Sequence, residues 1–239
     1  MVINHLNIFL FRPSIDWIDH GMGNQNQNQI RVIKLGGSLI EEGRAIIRTL
    51  RDFAAKKNLT LVIIPGGGPF AMTVRTLAGK LSDEAAHWMA VLAMHQYGFF
   101  LANGEFPLVE SLDDIIERDV TILLPYKILK ADDCLPHTWD VTSDTIAAFI
   151  AYKLGERCFI KLTDVDGFLD AEGRIIERVD IKEIAKRSDD STCTCIDNAL
   201  PGFLLQHKMY CIIVNGRFPR RVKDVLAGKM KNTCCTKLC

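Results

Sequence analysis

Residues 30–40 read IRVIKLGGSLI. An apolar run ends on Lys34, Gly36, Gly37 and Ser38 follow at once, and a helical pattern begins. A buried strand has no reason of its own to finish on a charge. Glycine lets the backbone come close to an anion, amides at a helix N-terminus point at one, and a neighbouring lysine adds a full positive charge. Taken alone, the stretch is open to two readings: a phosphate site, or an ordinary strand-to-helix turn with a surface lysine. The order excludes one motif. In the P-loop pattern the lysine follows the glycines, whereas Lys34 precedes them.

Three more loops share this character, and each is expected to follow a strand. Pro65-Gly66-Gly67-Gly68-Pro69 comes after the continuous apolar run Thr60–Ile64. A tight turn asks for one glycine, so three in succession predict a second loop that approaches an anion or a ligand. His137-Thr-Trp139-Asp140-Val-Thr142-Ser143-Asp144 leads into a helix. Capping explains Thr142 or Ser143 but not His137, Trp139 and Asp140 ahead of them. Lys161-Leu-Thr163-Asp164-Val-Asp166-Gly167 again ends an apolar strand on a lysine. Each aspartate singly fits a solvated loop. Two strand-end lysines with aspartates nearby form a charge set suited to a polyphosphate.

Between these loops, strand-like and helix-like segments alternate. Strands are expected over 31–35, 60–64, 120–124, 158–162 and 210–214. Helices are expected over 40–57, from about Phe70, and over 82–101, 142–154, 181–186, 199–207 and 220–227, with a hairpin-like excursion over 167–179 around Glu172-Gly173. Buried strands alternating with helices predict a mainly parallel sheet covered on both faces, a three-layer αβα sandwich. In such sheets ligands bind at the carboxyl ends of the strands, so the four loops are expected to converge. The 82–101 helix opens with Ser82-Asp83-Glu84 and is apolar around most of its circumference, which predicts burial or a subunit interface.

The chain has 239 residues, and 29 Lys plus Arg balance 29 Asp plus Glu. Zero net charge gives no wholesale attraction to nucleic acid or anionic membranes. No apolar run approaches the roughly 18 residues that span a bilayer. Residues 1–29 make a poor signal peptide and end in a polar low-complexity stretch, so they are expected to form a flexible extension ahead of one domain over 30–239. Eight cysteines without a secretion signal predict reduced thiols in a cytoplasm. Neither Cys193-Thr-Cys195 nor the Cys234-Cys235…Cys239 tail has the C-x-x-C spacing of a zinc site, and no direct metal ligand is expected. Cys158 and Cys211 fall inside apolar strand patterns and read as core residues.

The order KLGGS, PGGGP, TSD at a helix start and KLTDVDG resembles the amino acid kinase superfamily, from about Ile30 to the end of the chain. Within it, EAAHWMAVLAMHQYG, LPHTWDVTSDTIAA and CIDNALPGFLL look most like the small kinases of methanofuran biosynthesis. Those kinases convert [5-(aminomethyl)furan-3-yl]methyl phosphate to the diphosphate. The resemblance implies an amino acid kinase-like fold, ATP as co-substrate, Mg2+, a small-molecule phosphate acceptor and a homo-oligomer. It further implies that Lys34 and Lys161 flank the transferring group and that Asp144 orients them. Gly36, Gly37, Ser38, Thr163, Asp164, Asp166 and Gly167 would then face the nucleotide, and Gly66, Gly67, Gly68, His137 and Trp139 the acceptor. A lid-packing tryptophan and an exposed histidine remain the alternative for Trp139 and His137. Where relatives carry Gly-Thr near the C-terminus, this chain has Asn232-Thr233, so an altered final edge strand is expected.

Overall fold

The computed structural model describes residues 29–186, 195–231 and 233–239. Residues 1–28, Cys193 and Asn232, on which parts of the sequence reading fell, lie outside the described residues. Eight strands form one sheet: β1 (Gln29–Leu35), β2 (Leu59–Pro65), β3 (Leu108–Val109), β4 (Val120–Leu123), β5 (Cys158–Thr163), β6 (Arg178–Val179), β7 (Tyr210–Asn215) and β8 (Cys235–Leu238). Their order across the sheet is β3-β4-β2-β1-β5-β7-β8-β6, and every neighbouring pair is parallel except β7 with β8. The helices are α1 (Gly43–Lys57), α2 (Gly68–Leu77), α3 (Asp83–Ala102), α4 (Tyr126–Ala131), α5 (Ser143–Lys153), α6 (Ile181–Lys186), α7 (Leu200–His207) and α8 (Pro219–Leu226).

The two faces of the sheet bury two separate cores, sorted by the alternation of strand side chains. Ile33, Leu35, Ile160 and Leu162 point to the side covered by α1 and α8, through Ile47, Leu50, Val222 and Val225. Val32 and Phe159 point to the other side, covered by α5 and α7 through Ile146, Phe149, Leu200 and Leu204. Helix α3 serves both cores. Trp88, Val91 and Met94 join the second, and Tyr97, Leu101 and Ala102 join the first. That double duty is why the helix reads as apolar all round, although Leu92, Phe99 and Phe100 stay exposed. Its N-terminus is capped as its sequence predicts, with the Ser82 hydroxyl accepting from the Ala85 amide at 3.2 Å.

Several boundaries differ from the expectation. Gln29 already pairs with Leu59, so β1 starts ahead of the 31–35 expected for it. The segment after Lys34 makes a short 3-10 turn over Gly37–Leu39, and α1 starts only at Gly43. The excursion after Gly167 closes on one antiparallel bridge, Leu169 with Ile175, and then adds β6 to the sheet. Strand β8 forms beside β7 despite the unusual C-terminal sequence, and β6 rather than β8 is the outermost strand. Strand β3 and helix α4 had no sequence expectation: two and six residues are too short to show a period. Cys158 and Cys211 are buried, and burial pushes the Cys158 thiol up to about 12, so both are inert packing groups.

The chain leaves β1 toward β2 on one side, while β5 and β7 fill the other. The carboxyl ends of β1 and β5 therefore flank the reversal point where open α/β sheets form their crevice. There the two glycine loops abut. The Gly66 amide donates to the Leu35 carbonyl at 2.8 Å, and a Cβ on Gly37 would lie 2.3 Å from the Gly68 Cα, against backbone that cannot turn aside. Close approach of loop to loop thus accounts for part of the glycine content. Gly37→Ala should cost about 2–3 kcal/mol of stability, read as a lowered urea midpoint with an unchanged slope.

Candidate active site

Alternation decides where the two lysines go. Lys34 sits between Ile33 and Leu35, and Lys161 between Ile160 and Leu162, so both project to the face covered by α5. They are also in register, Lys34 opposite Lys161 on adjacent parallel strands. Asp144, in the first turn of α5, lies between them. Lys34 Nζ is 2.9 Å from Asp144 Oδ1, and Lys161 Nζ is 2.5 Å from Asp144 Oδ2. Lys161 Nζ also donates to the Cys195 carbonyl. All three side chains are buried, at 9%, 4% and 6% exposure for Lys34, Asp144 and Lys161.

Burial and charge act differently on the three groups. Burial by itself would raise Asp144, but the two ammonium groups outweigh it and hold the carboxyl down to about 2. Burial lowers Lys34, and the neighbouring Lys161 charge adds to that effect against the pull of Asp144. Burial opposes the charge on Lys161 too, yet Asp144 more than compensates and raises it. Two cations share one anion, and the charge of nearby Asp197 also supports Lys34.

A second carboxylate, Asp197, places α5. It accepts from the Thr142 amide and hydroxyl, both at 2.9 Å, and from the Thr145 amide at 3.0 Å and hydroxyl at 2.5 Å. Its other link, 2.9 Å from the Leu200 amide, caps α7. One buried side chain thus satisfies the orphan amides of two helix starts and pins Asp144 one turn away. Burial, with the nearby Asp144 charge, raises the Asp197 carboxyl.

Two cavities open on this cluster. The first, about 350 Å³, has Lys34, Gly67, Gly68 and Ser143 at the strand tips and His87, Val91 and Met94 on its α3 wall. The second, about 320 Å³, holds Asp144, Lys161 and Cys195 to Asn198. Arg75, Trp139 and Thr142 line both. The Arg75 guanidinium lies over the Trp139 ring, 5.2 Å from its centroid. Trp139, read from the sequence as an acceptor contact, lines both cavities. His137 does not line either cavity. It stacks on His87 at 4.5 Å between ring centroids, meets the Trp88 ring edge, and bonds Asp133 at 2.8 Å.

The loops expected to face the nucleotide are more committed than the sequence suggests. The Gly36 amide donates to the Leu162 carbonyl at 2.9 Å, so it stitches β1 to β5 and is not free for a phosphate. That corrects one expectation. Gly37 and Ser38 open the 3-10 turn, whose first amides have no partner within the turn. Asp164 is held below the usual carboxylate range against the opposing effect of burial, by hydrogen bonds from Ser38 and Thr163. Asp166 accepts from Arg221 at 2.7 Å and from Asn215 at 2.9 Å, tying the β5 loop to β7 and α8. Gly167, at φ +144, passes so close to Thr236 that a Cβ would lie 2.2 Å from its hydroxyl. Both Asp166 and Gly167 therefore serve the loop's own shape.

Arg75, His87, Asp197 and Asn215 carry no role in the sequence reading. Arg75 lies inside a helical pattern, where an arginine reads as a solvated face. Asp197 had a legible signal, an aspartate three residues ahead of Leu200-Pro201, the pattern of a helix cap.

Residues 29–112 and 100–215 match the model of the Amino acid kinase family, and the chain belongs to that family. It is 36% identical over 209 residues to the [5-(aminomethyl)furan-3-yl]methyl phosphate kinase of Methanocaldococcus jannaschii, a match covering 84% of this chain and 94% of that one. It is 24% identical over 208 residues to the acetylglutamate kinase of Endomicrobium trichonymphae, covering 70% and 84%. Among solved structures, the uridylate kinase from Archaeoglobus fulgidus shares the fold at a TM-score of 0.65 and 18% identity, covering 88% of this chain and 100% of that one. The UMP kinase from Ureaplasma parvum shares it at 0.64 and 15%, covering 90% and 97%. These relatives are kinases, and the chain is a phosphotransferase of their family.

Asp144→Asn should cost about 3–5 kcal/mol of stability, because it leaves two buried cations without their anion; chemical denaturation measures it. A second outcome concerns pH. Burial, with His137 adding and Asp133 opposing, lowers His87 from 6.5 to about 4. A base whose folded pKa lies below its unfolded one binds fewer protons when folded. Stability should therefore fall as pH drops from about 6.5 toward about 4. In His87→Gln the urea midpoint should vary less across that window.

Proposed function

We propose that the protein transfers the terminal phosphoryl group of ATP to the phosphate of [5-(aminomethyl)furan-3-yl]methyl phosphate, giving the diphosphate, in methanofuran biosynthesis. The observation that carries the reading is the buried Lys34–Asp144–Lys161 cluster at the mouth of a small cavity completed by Arg75 and Trp139. The acceptor is suggested by the likeness to the Methanocaldococcus kinase over most of both chains.

Phosphoryl transfer asks a protein mainly for positioning and charge compensation. An acceptor oxygen forms a bond to the terminal phosphorus, the bond to the bridging oxygen breaks, and ADP leaves. Lys34 and Lys161, fixed by Asp144, compensate the charge on the transferring group. The second pKa of a phosphate ester is about 6, so the acceptor is an anion at neutral pH and needs no general base. Gly66, Gly67, Gly68, Trp139 and Arg75 border the acceptor, with His137 supporting the wall from behind His87. The nucleotide lies toward Gly37, Ser38, Thr163 and Asp164.

Mg2+ suits this arrangement as an ion carried on the nucleotide's phosphate oxygens, since such sites use few protein carboxylates. Among the described residues no three His, Cys, Asp or Glu side chains stand grouped to hold a metal. Asp164 is the carboxylate placed to assist, because Asp166 is engaged by Arg221 and Asn215. When bound, the ion adds charge compensation to that of the lysines. We further read the exposed Leu92, Phe99 and Phe100 of α3 as part of a homo-oligomer contact, and the reduced thiols as those of a cytoplasmic protein.

Purified protein supplied with ATP and an acceptor panel should form ADP with the furan phosphate at least about 100-fold faster than with uridylate, isopentenyl phosphate or acetylglutamate. Preference for any of those three would reject the acceptor. Lys161→Ala should lower turnover about 10²–10³-fold; unchanged turnover would remove Lys161 from the chemistry.

A further inference from the structure

The furan phosphate has two polar ends. One is a phosphate and the other a primary amine, protonated at neutral pH. The first cavity offers two cations for the phosphate, Lys34 and Arg75. For the ammonium it offers no carboxylate: among the described residues none of its lining side chains is Asp or Glu. An ammonium in such a cavity must find a neutral hydrogen-bond acceptor.

His87 meets that need. It belongs to the α3 wall of the cavity and is 7% exposed. Its ring stacks on His137 and meets Trp88 edge-on at 4.9 Å, so packing fixes its orientation. Among the described residues neither ring nitrogen has a hydrogen-bond partner, and neither is fully buried. A nearly buried residue on a cavity wall whose ring nitrogens have no partner from the described chain leaves a hydrogen-bond position that a ligand can fill. We propose that His87 is an acceptor-binding residue whose ring nitrogen takes a hydrogen bond from the aminomethyl group of the substrate. The environment suits the role, because burial keeps the ring neutral at physiological pH, and a neutral imidazole accepts where an imidazolium would repel. His137 and Asp133, behind it, hold the ring without competing for its free nitrogen.

This inference rests on the acceptor proposed above. The test compares that acceptor with its counterpart bearing a methyl in place of the aminomethyl group. The wild type should prefer the amine by at least about tenfold in kcat/KM, as expected for a hydrogen bond to a charged group. His87→Leu should bring the ratio near one, and His87→Gln, which retains an acceptor atom, should restore part of it. A ratio unchanged in His87→Leu would overturn the inference alone. Failure of the wild type to phosphorylate either compound would overturn the acceptor reading and this inference with it. Nitrogen NMR of histidine-labelled wild-type protein gives a second reading that needs no variant to fold. The non-protonated His87 nitrogen should shift on adding the amine compound and not on adding the methyl compound. Equal shifts with both would also overturn the inference.

Discussion

One aspartate shared by two buried lysines is the constraint on which the rest of this structure depends. As a stability device it is poor. Removing three charges from water costs several kcal/mol per ion, and an apolar triad of similar volume would do as well or better. The asymmetry within the cluster distinguishes the two lysines. Lys161 has both an Asp144 oxygen and the Cys195 carbonyl. Lys34 has Asp144 and, against it, the charge of Lys161. The lysine with the less complete set of partners is the one that lines the first cavity. Lys34 thus presents to the first cavity a cation that Lys161 does not.

Holding such a cluster needs rigidity on three sides, and each side comes from ordinary secondary-structure rules. Strand alternation sends both lysines to one face, and parallel register puts them opposite one another. Asp197 anchors the start of α5 with four hydrogen bonds and that of α7 with a fifth, so Asp144 cannot follow either lysine away. Placing Asp144 in the first turn of α5 also sets its charge against the positive end of the helix dipole. The glycine contacts between the β1 and β2 loops supply the third side, since any side chain at Gly37 would push those loops apart.

The parts of this arrangement that were legible in the sequence are local ones. A lysine closing an apolar run is visible because it breaks a strand pattern, and it breaks it twice, at Lys34 and Lys161. Asp144 is visible because a cap already precedes it. The parallel sheet follows from alternating elements. What escaped is carried by single residues within otherwise regular segments. Arg75 and His87 sit inside helical patterns, and nothing in their neighbours' identities says that one faces a cavity. Asp197 is legible as a cap for the helix it precedes but not as the clamp on a helix more than fifty residues earlier. Glycine was over-read in the other direction. Gly36 looked like a phosphate contact, yet its amide is spent on the Leu162 carbonyl, and Gly167 is needed to pass Thr236. A sequence shows where the backbone must be bare but not whether a ligand or another part of the chain requires it.

The division of labour in the fold explains how relatives with different acceptors can share it. On the proposed function, charge compensation comes from the tips of β1 and β5 and the start of α5, elements fixed by the sheet itself. The proposed acceptor wall comes from α2, from the segment that carries Trp139 and Val141, and from α3. Changing a side chain on the α3 wall alters the shape and hydrogen bonding of the cavity without moving Asp144. Helix α3 is fastened at both ends, by Trp88 and Met94 in one core and by Tyr97 and Leu101 in the other. Such a helix can present new residues to a ligand while its backbone stays where two cores hold it. On that proposal, specificity can change on one wall while Lys34, Asp144 and Lys161 on the other remain as they are.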